Sequence, residues 1–175
     1  MSNFEKAMEL LSENKFSEAQ VALEKLKSIN DPINKESVLS NLIKVKKILN
    51  KRIANDQIEL AEIMIGKRKF KEAIFQLENI DKNENFSKKK HLYLLYKSHS
   101  KSGLIQEARK IGKQYVDELM SLKKYHLLEN FLPEFVKEIG AVDIAAEIEV
   151  ESLIRQGRVE ELNEKNPGIL KDFSE

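Results

Sequence analysis

The sequence predicts an all-α chain built of stacked antiparallel helix pairs, and three observations carry that reading. The first is a recurring phrase. Phe70-Lys71-Glu72-Ala73 opens a run with apolar residues at Ala73, Leu77 and Ile80, a spacing that lines one face of a helix. The phrase occurs earlier as Phe16-Ser17-Glu18-Ala19, followed by Leu23, Leu26 and Ile29. It returns as Ile105-Gln106-Glu107-Ala108 and, more faintly, as Val159-Glu160-Glu161-Leu162. The second observation is spacing: Ala19 to Ala73 is 54 residues, Ala73 to Ala108 is 35, and Ala108 to Leu162 is again 54. A step of 35 fits one helix-turn-helix unit, and a step of 54 fits that unit plus one further helix. Units of this size are too small to bury their own apolar faces and must stack. The third is composition. Threonine and tryptophan are absent, which removes two favoured strand residues, and the six glycines and three prolines fall where helices would end.

Taken in order, Ser2-Asn3-Phe4-Glu5 has the form of a capping box and starts a helix carrying Phe4, Ala7, Met8, Leu10 and Leu11. Asn14-Lys15 turns the chain, and Ser17 caps a second helix ending near Ile29. Asn30-Asp31-Pro32 marks a new start, with Asp31 at the cap and Pro32 in the first helical position. From about Ile33 to Ile65 the apolar stripe is nearly continuous, and a break near Asn50 to Asp56 divides it into two helices, one long helix being the alternative. Gly66-Lys67 turns into the helix of Phe70, and Asp81 to Ser87 is a polar loop. His91 to Lys101 is helical, and Gly103 turns the chain into Leu104 to Leu119. The segment from Leu122 is interrupted or restarted at Pro133 and ends at Gly140. Ala141 to Ile154 is helical, Gly157 turns, and Val159 begins a short last helix. This gives about 9–10 helices in a single helical-repeat domain over 1–175, with units about 1–32, 53–83, 88–120 and 141–165 and extra helices about 33–50 and 122–139. Ile169 to Phe173 reads as the start of another helix, as expected of the N-terminal part of a larger protein.

Hydrophobic residues at 41% and charged residues at 34% describe a globular chain rather than a disordered one. The formal net charge of +1 gives no overall attraction to nucleic acid or anionic lipid. With no cysteine, disulfide and thiolate chemistry are excluded. No secretory leader is evident in the first residues and no apolar run approaches 18 residues, so the expectation is no membrane span and a cytoplasmic protein.

The phrases resemble the tetratricopeptide repeat (TPR) family, on Leu60, Ala61, Phe70 and Ala73 in the best unit. Leu95, Gly103 and Ala108 carry it in the next, and Ala7, Leu10, Phe16 and Ala19 in the first. The resemblance departs at Met64 and Gly112, where the family has aromatics, at Tyr96 in a small-residue site, and at Leu162 in place of alanine. It implies a TPR-like right-handed α-solenoid with a concave groove lined by the first helix of each unit. The groove positions it implies are Lys90, Tyr93, Lys97 and Lys101 in one unit and Asn55, Ile58, Glu62 and Ile65 in the preceding one. The family's clamp for chaperone C-termini needs Lys and Asn where this chain has Phe4 and Met8, so that partner class is not expected.

Chemistry is sparse. His91, His99 and His126 fall in no metal-binding or nucleophile-activating spacing. His126 with Glu129, and Glu147 with Glu151, share helix faces, but a di-metal site needs two Glu-x-x-His motifs and there are none. No metal, no cofactor and no catalytic residue is expected, and the chain is read as a non-enzyme. Lysine outnumbers arginine 25 to 5, which disfavours bidentate reading of bases or phosphates, so nucleic acid is not expected as a partner class. The expected function is a non-catalytic scaffold or adaptor for protein–protein interaction. Its groove stripe Lys90, Tyr93, Lys97, Lys101 with Ile58 and Glu62 would receive an acidic, apolar peptide or helix of another protein. The competing interface is the apolar face Phe4, Met8, Leu11 of the first helix, open to a partner or to a second copy in a homo-oligomer. A dedicated chaperone for a secreted or assembly-prone client and a regulatory subunit of a larger enzyme are the alternative functions.

Overall fold

The computed structural model describes residues 2–29 and 35–165, and among them it contains ten α-helices and no strand. They are α1 (Asn3–Ser12), α2 (Phe16–Ser28), α3 (Lys35–Ile48), α4 (Ala54–Gly66), α5 (Phe70–Glu78) and α6 (Lys88–Lys101). There follow α7 (Ile105–Ser121), α8 (Tyr125–Ile139), α9 (Val142–Gln156) and α10 (Val159–Lys165). The expected helix start at Asp31-Pro32 and the segment Ile169 to Phe173 lie outside the described residues. None of the described helices is long and apolar enough to cross a membrane.

One turn is used again and again. A residue in the left-handed region ends the helix, one spacer follows, and a bulky apolar residue starts the next helix. The left-handed residues are Asn14, Arg68, Gly103, Lys123 and Gly157, ahead of Phe16, Phe70, Ile105, Tyr125 and Val159. In each case the spacer amide donates to a carbonyl five residues back: Lys15 to Leu10, Lys69 to Met64, Leu104 to His99, Lys124 to Leu119 and Arg158 to Leu153, at 2.8–3.0 Å. This is the Schellman closure, which satisfies carbonyls that a helix end leaves open. The spacer's own carbonyl then accepts the first bond of the next helix, from Ala19 at Lys15, Ala73 at Lys69 and Leu162 at Arg158. Helix starts are therefore set by the turn. Ser17 does not cap α2, which begins at Phe16 with Lys15 in the capping position and no side-chain cap. Nor is Gly66 the turning residue: it closes α4, and Arg68 takes the positive φ of 61°.

The long apolar stretch after residue 33 is two helices, broken after Ile48 with Asn50 left-handed. The capping box at Ser2 and Glu5 is present in both directions. Pro133 does not interrupt its helix. α8 runs through it because Leu128, Phe131, Leu132, Phe135 and Ile139 form one buried face, while Pro133 stands on the exposed side.

The chain divides into two compact units, Met1–Leu104 and Ile105–Glu175, with the division inside the expected repeat 88–120. In the first unit consecutive helices α1 to α6 pack against one another, and α6 also meets α4. Its core includes Ala7, Leu23, Val38, Leu42 and Val45. Ala19 and Ala73, the small residues of the repeated phrase, are fully buried. In the second unit α7 packs on α8, α8 on α9 and α9 on α10. Gly112 of α7 lies so close to Phe135 of α8 that a Cβ there would stand 2.3 Å from the ring. Phe135 stacks on Phe131, which meets Tyr115 edge-on.

Candidate functional site

α4 presents Asn55, Ile58, Glu59, Glu62 and Ile63 at helical spacing, and these residues line one side of a cavity of about 530 Å³ in the first unit. Ser87 and Lys90 at the start of α6 form a second side, and Lys35 of α3 completes it. Ile58, only 4% exposed, forms the floor with the half-buried Ile63. The α6 side is positioned by Ser87, whose hydroxyl caps the helix by accepting from the Lys90 amide. The α4 side is fixed from the polar loop: one Glu84 carboxylate oxygen accepts from the backbone amides of both Ile53 and Ala54, at 2.8 Å each. A carboxylate at a helix N-terminus also complements its dipole.

The structure thus brings four of the predicted groove residues, Asn55, Ile58, Glu62 and Lys90, around one cavity. Tyr93, Lys97 and Lys101 do not line it. They lie on α6 at steps of three, four and four residues from Lys90, which places them along one side of the helix. The Lys97 ammonium stands 5.9 Å from the centre of the Tyr93 ring, within cation–π range. The charge picture differs from a plain cationic stripe. Lys90 Nζ is 2.7 Å from the Glu62 carboxylate, and Lys35 Nζ is 2.9 Å from that of Glu59. The rim of the cavity is therefore charge-balanced, with Lys97 and Lys101 lying farther along α6.

Beneath this rim runs a network that the residue pattern did not reveal. The Asp56 side chain is buried and accepts from Lys27 at 2.6 Å and from Lys46 at 2.8 Å. Lys27 also pairs with Glu59, and Lys46 with Glu24, so alternating charges tie α2, α3 and α4 together. Burial works against the Lys27 and Lys46 ammoniums, but their carboxylate partners more than offset it and hold both pKa values above the ordinary lysine range. For Glu59, too, burial is the largest influence and opposes ionisation; Lys35 and Lys27 outweigh it and lower the pKa.

The competing first-helix face is partly buried in the structure. Phe4, Met8 and Leu11 are half-buried and pack against the core cluster that includes Ala7, Leu23, Val38, Leu42 and Val45. The histidines are dispersed. His91 Nε2 donates to the Leu77 carbonyl at 2.9 Å, its ring meets Phe86 edge-on, and burial pushes its pKa down. His99 is buried with Nε2 3.7 Å from the Glu78 carboxylate, and His126 is exposed. Glu129 is held by Arg158 and Glu151 by Arg155. Among the described residues no group of three or more acidic or histidine side chains is placed to hold a metal.

No family model, curated protein or solved structure matches the chain.

Proposed function

We propose that the chain is a non-catalytic, cytoplasmic protein-docking module of TPR-like architecture, a right-handed stack of helix pairs that binds a partner peptide or helix along the α4–α6 face. One observation carries the reading: the cavity that gathers Asn55, Ile58, Glu62 and Lys90 has an apolar floor, and Tyr93, Lys97 and Lys101 follow Lys90 farther along the same helix. A floor with a balanced ionic rim suits an apolar anchor side chain. The lysines farther along α6 suit acidic residues beside that anchor, steering approach and fixing register more than adding affinity. Helix α6 itself carries five lysines and no acidic residue. The recurring left-handed turn and the buried alanines of the phrase support the repeat architecture.

The experiment is a binding assay with partners recovered from cell extract, repeated with purified components. Lys97→Glu combined with Lys101→Glu is expected to weaken binding at least tenfold while leaving the melting temperature unchanged. Raised salt is expected to weaken the wild-type complex, because exposed charges are screened within about 8 Å at physiological ionic strength. Binding that survives both the double reversal and high salt would contradict the proposal.

A further inference from the structure

The lysines of the first unit are not all used alike. Lys27, Lys35, Lys46, Lys67, Lys69 and Lys90 are each held by a carboxylate within 2.9 Å. Lys44, Lys47, Lys51 and Arg52 are exposed and form no salt bridge among the described residues. Lys51 Nζ donates to the neutral Gln20 side-chain carbonyl of α2 at 2.8 Å, which leaves its charge uncompensated. No acidic residue occurs between Glu36 and Asp56, so the segment supplies no counter-charge of its own. The carboxylates that packing brings to this end of α3 are engaged. Glu24 holds Lys46, buried Asp56 holds Lys27 and Lys46, and Glu84 accepts from the amides of Ile53 and Ala54.

These cations gather at the C-terminal end of α3. Lys44 stands three residues from Lys47 and four from Ile48, which places all three on one side of the helix, while Val38, Leu42 and Val45 are buried. The helix then closes on itself. The Lys51 amide donates to the Lys46 carbonyl at 2.8 Å across left-handed Asn50, so Lys51 and Arg52 stay beside the last turn. Among them stands Ile48, 54% exposed and the one large apolar side chain of α3 open to solvent. The helix dipole does not account for the cluster, since a C-terminus carries only about half a negative charge. With a net charge of +1 on the chain, any attraction of an anion has to be local, and this is where it is concentrated. The chemistry of the patch chooses among anionic partners. Single-stranded nucleic acid is held largely by stacking, and residues 35–53 contain no aromatic side chain. An acidic peptide or helix needs an apolar floor, and one exposed isoleucine on the outer side of a helix offers none. An anionic bilayer asks for neither. Its headgroups rearrange around scattered charges, lysine stems lie along the interface with their ammoniums among phosphates, and a single aliphatic side chain enters between them.

We propose that the C-terminal end of α3, with Lys44, Lys47, Lys51 and Arg52 beside Ile48, is a surface for an anionic lipid bilayer. The chain rests on the membrane without crossing it, held by the four cations, with Ile48 at the level of the headgroups. This surface is distinct from the α4–α6 face, whose cavity meets α3 at Lys35, the opposite end of the helix.

The probe is a vesicle of equal parts phosphatidylcholine and phosphatidylserine, compared with phosphatidylcholine alone. Co-sedimentation of the full chain is expected to show at least tenfold tighter binding to the anionic vesicles, weakened by salt. Lys44→Glu with Lys47→Glu should weaken that binding at least tenfold with no change in melting temperature. Lys97→Glu with Lys101→Glu alters the net charge by the same amount and should leave it within about twofold, which separates a local patch from general attraction. The chain contains no tryptophan, so Ile48→Trp supplies a single reporter. Its emission should shift to the blue with anionic vesicles and stay in place with neutral ones. Equal binding to the two kinds of vesicle, equal losses from the two double reversals, or an emission that does not shift would overturn the proposal. So would a shift produced as readily by polyglutamate or single-stranded RNA, since the partner would then be a macromolecular polyanion rather than a bilayer.

Discussion

Two glycines show how one side chain's surroundings decide the sign of a substitution. Both Gly66 and Gly112 sit in helices, where replacement by alanine gains up to about 1 kcal/mol of helix propensity. A Cβ on Gly66 meets nothing within 4 Å, whereas one on Gly112 runs into the fully buried Phe135 ring. Overpacking of that kind costs about 1–3 kcal/mol, so it outweighs the propensity gain. Gly66→Ala is expected to raise the unfolding midpoint slightly and Gly112→Ala to lower it, measured by denaturant titration. Equal effects of the two would refute the close α7–α8 approach. The sequence marked Gly112 as a departure from an aromatic site without indicating why; Phe135, 23 residues later and on another helix, supplies the reason. The repeat alanines were legible because the local phrase itself demands a small residue. A long-range contact such as Gly112 with Phe135 leaves no local trace.

At the scale of elements, helix starts and stops follow the left-handed turn more than caps or breakers. This is why Ser17 and Pro133 misled as local signals while the spacing of the phrase did not. Pro133 lacks an amide to bond the Glu129 carbonyl and sits in a helix interior, a position that costs up to about 3 kcal/mol relative to alanine. α8 tolerates it because its apolar face packs continuously on both sides of the proline. Pro133→Ala should therefore stabilise the protein by about 1–3 kcal/mol; a loss of stability would contradict the reading that the packed face merely tolerates the proline. The Glu84 cap on α4 belongs to the same class of feature. It comes from about 30 residues downstream, so no capping pattern near Ile53 announced it. Glu84→Ala should cost about 1–2 kcal/mol, as loss of a good N-cap does, read as a lower chemical midpoint.

For the whole molecule, the near-zero net charge is a sum of opposites. Residues 1–104 hold 20 Lys and Arg against 14 Asp and Glu, a balance of +6, and residues 105–175 hold 10 against 15, a balance of −5. A single figure of +1 concealed this division of charge between the two units. The ionic groups also set the response to acid. His91, with its pKa lowered from the ordinary 6.5, contributes stability that is present above pH 6.5 and lost as pH falls through its folded value. Glu59, and Glu36 held down by Lys67 and Lys69, contribute stability present above 4.5 and lost at lower pH. Thermal melts should therefore decline in two stages on acidification, and His91→Gln, which keeps a donor for Leu77, should flatten the first stage only. An unchanged first stage in that variant would contradict the account of His91.

The all-α class and the helix boundaries to within a few residues were readable from periodicity and phrase. The ion pairs that balance the cavity rim, and the packing of Phe4, Met8 and Leu11 against the core, depend on tertiary neighbours that one-dimensional spacing does not specify. The central claim, docking on the α4–α6 face, is tested most directly by nuclear magnetic resonance titration of the labelled chain with an acidic peptide bearing one leucine anchor. The account predicts that the resonances of Asn55, Ile58, Glu62, Lys90, Tyr93 and Lys97 shift together and saturably, and that they stay in place when the leucine is replaced by serine. Shifts confined to other residues, or equal shifts with the serine peptide, would contradict it.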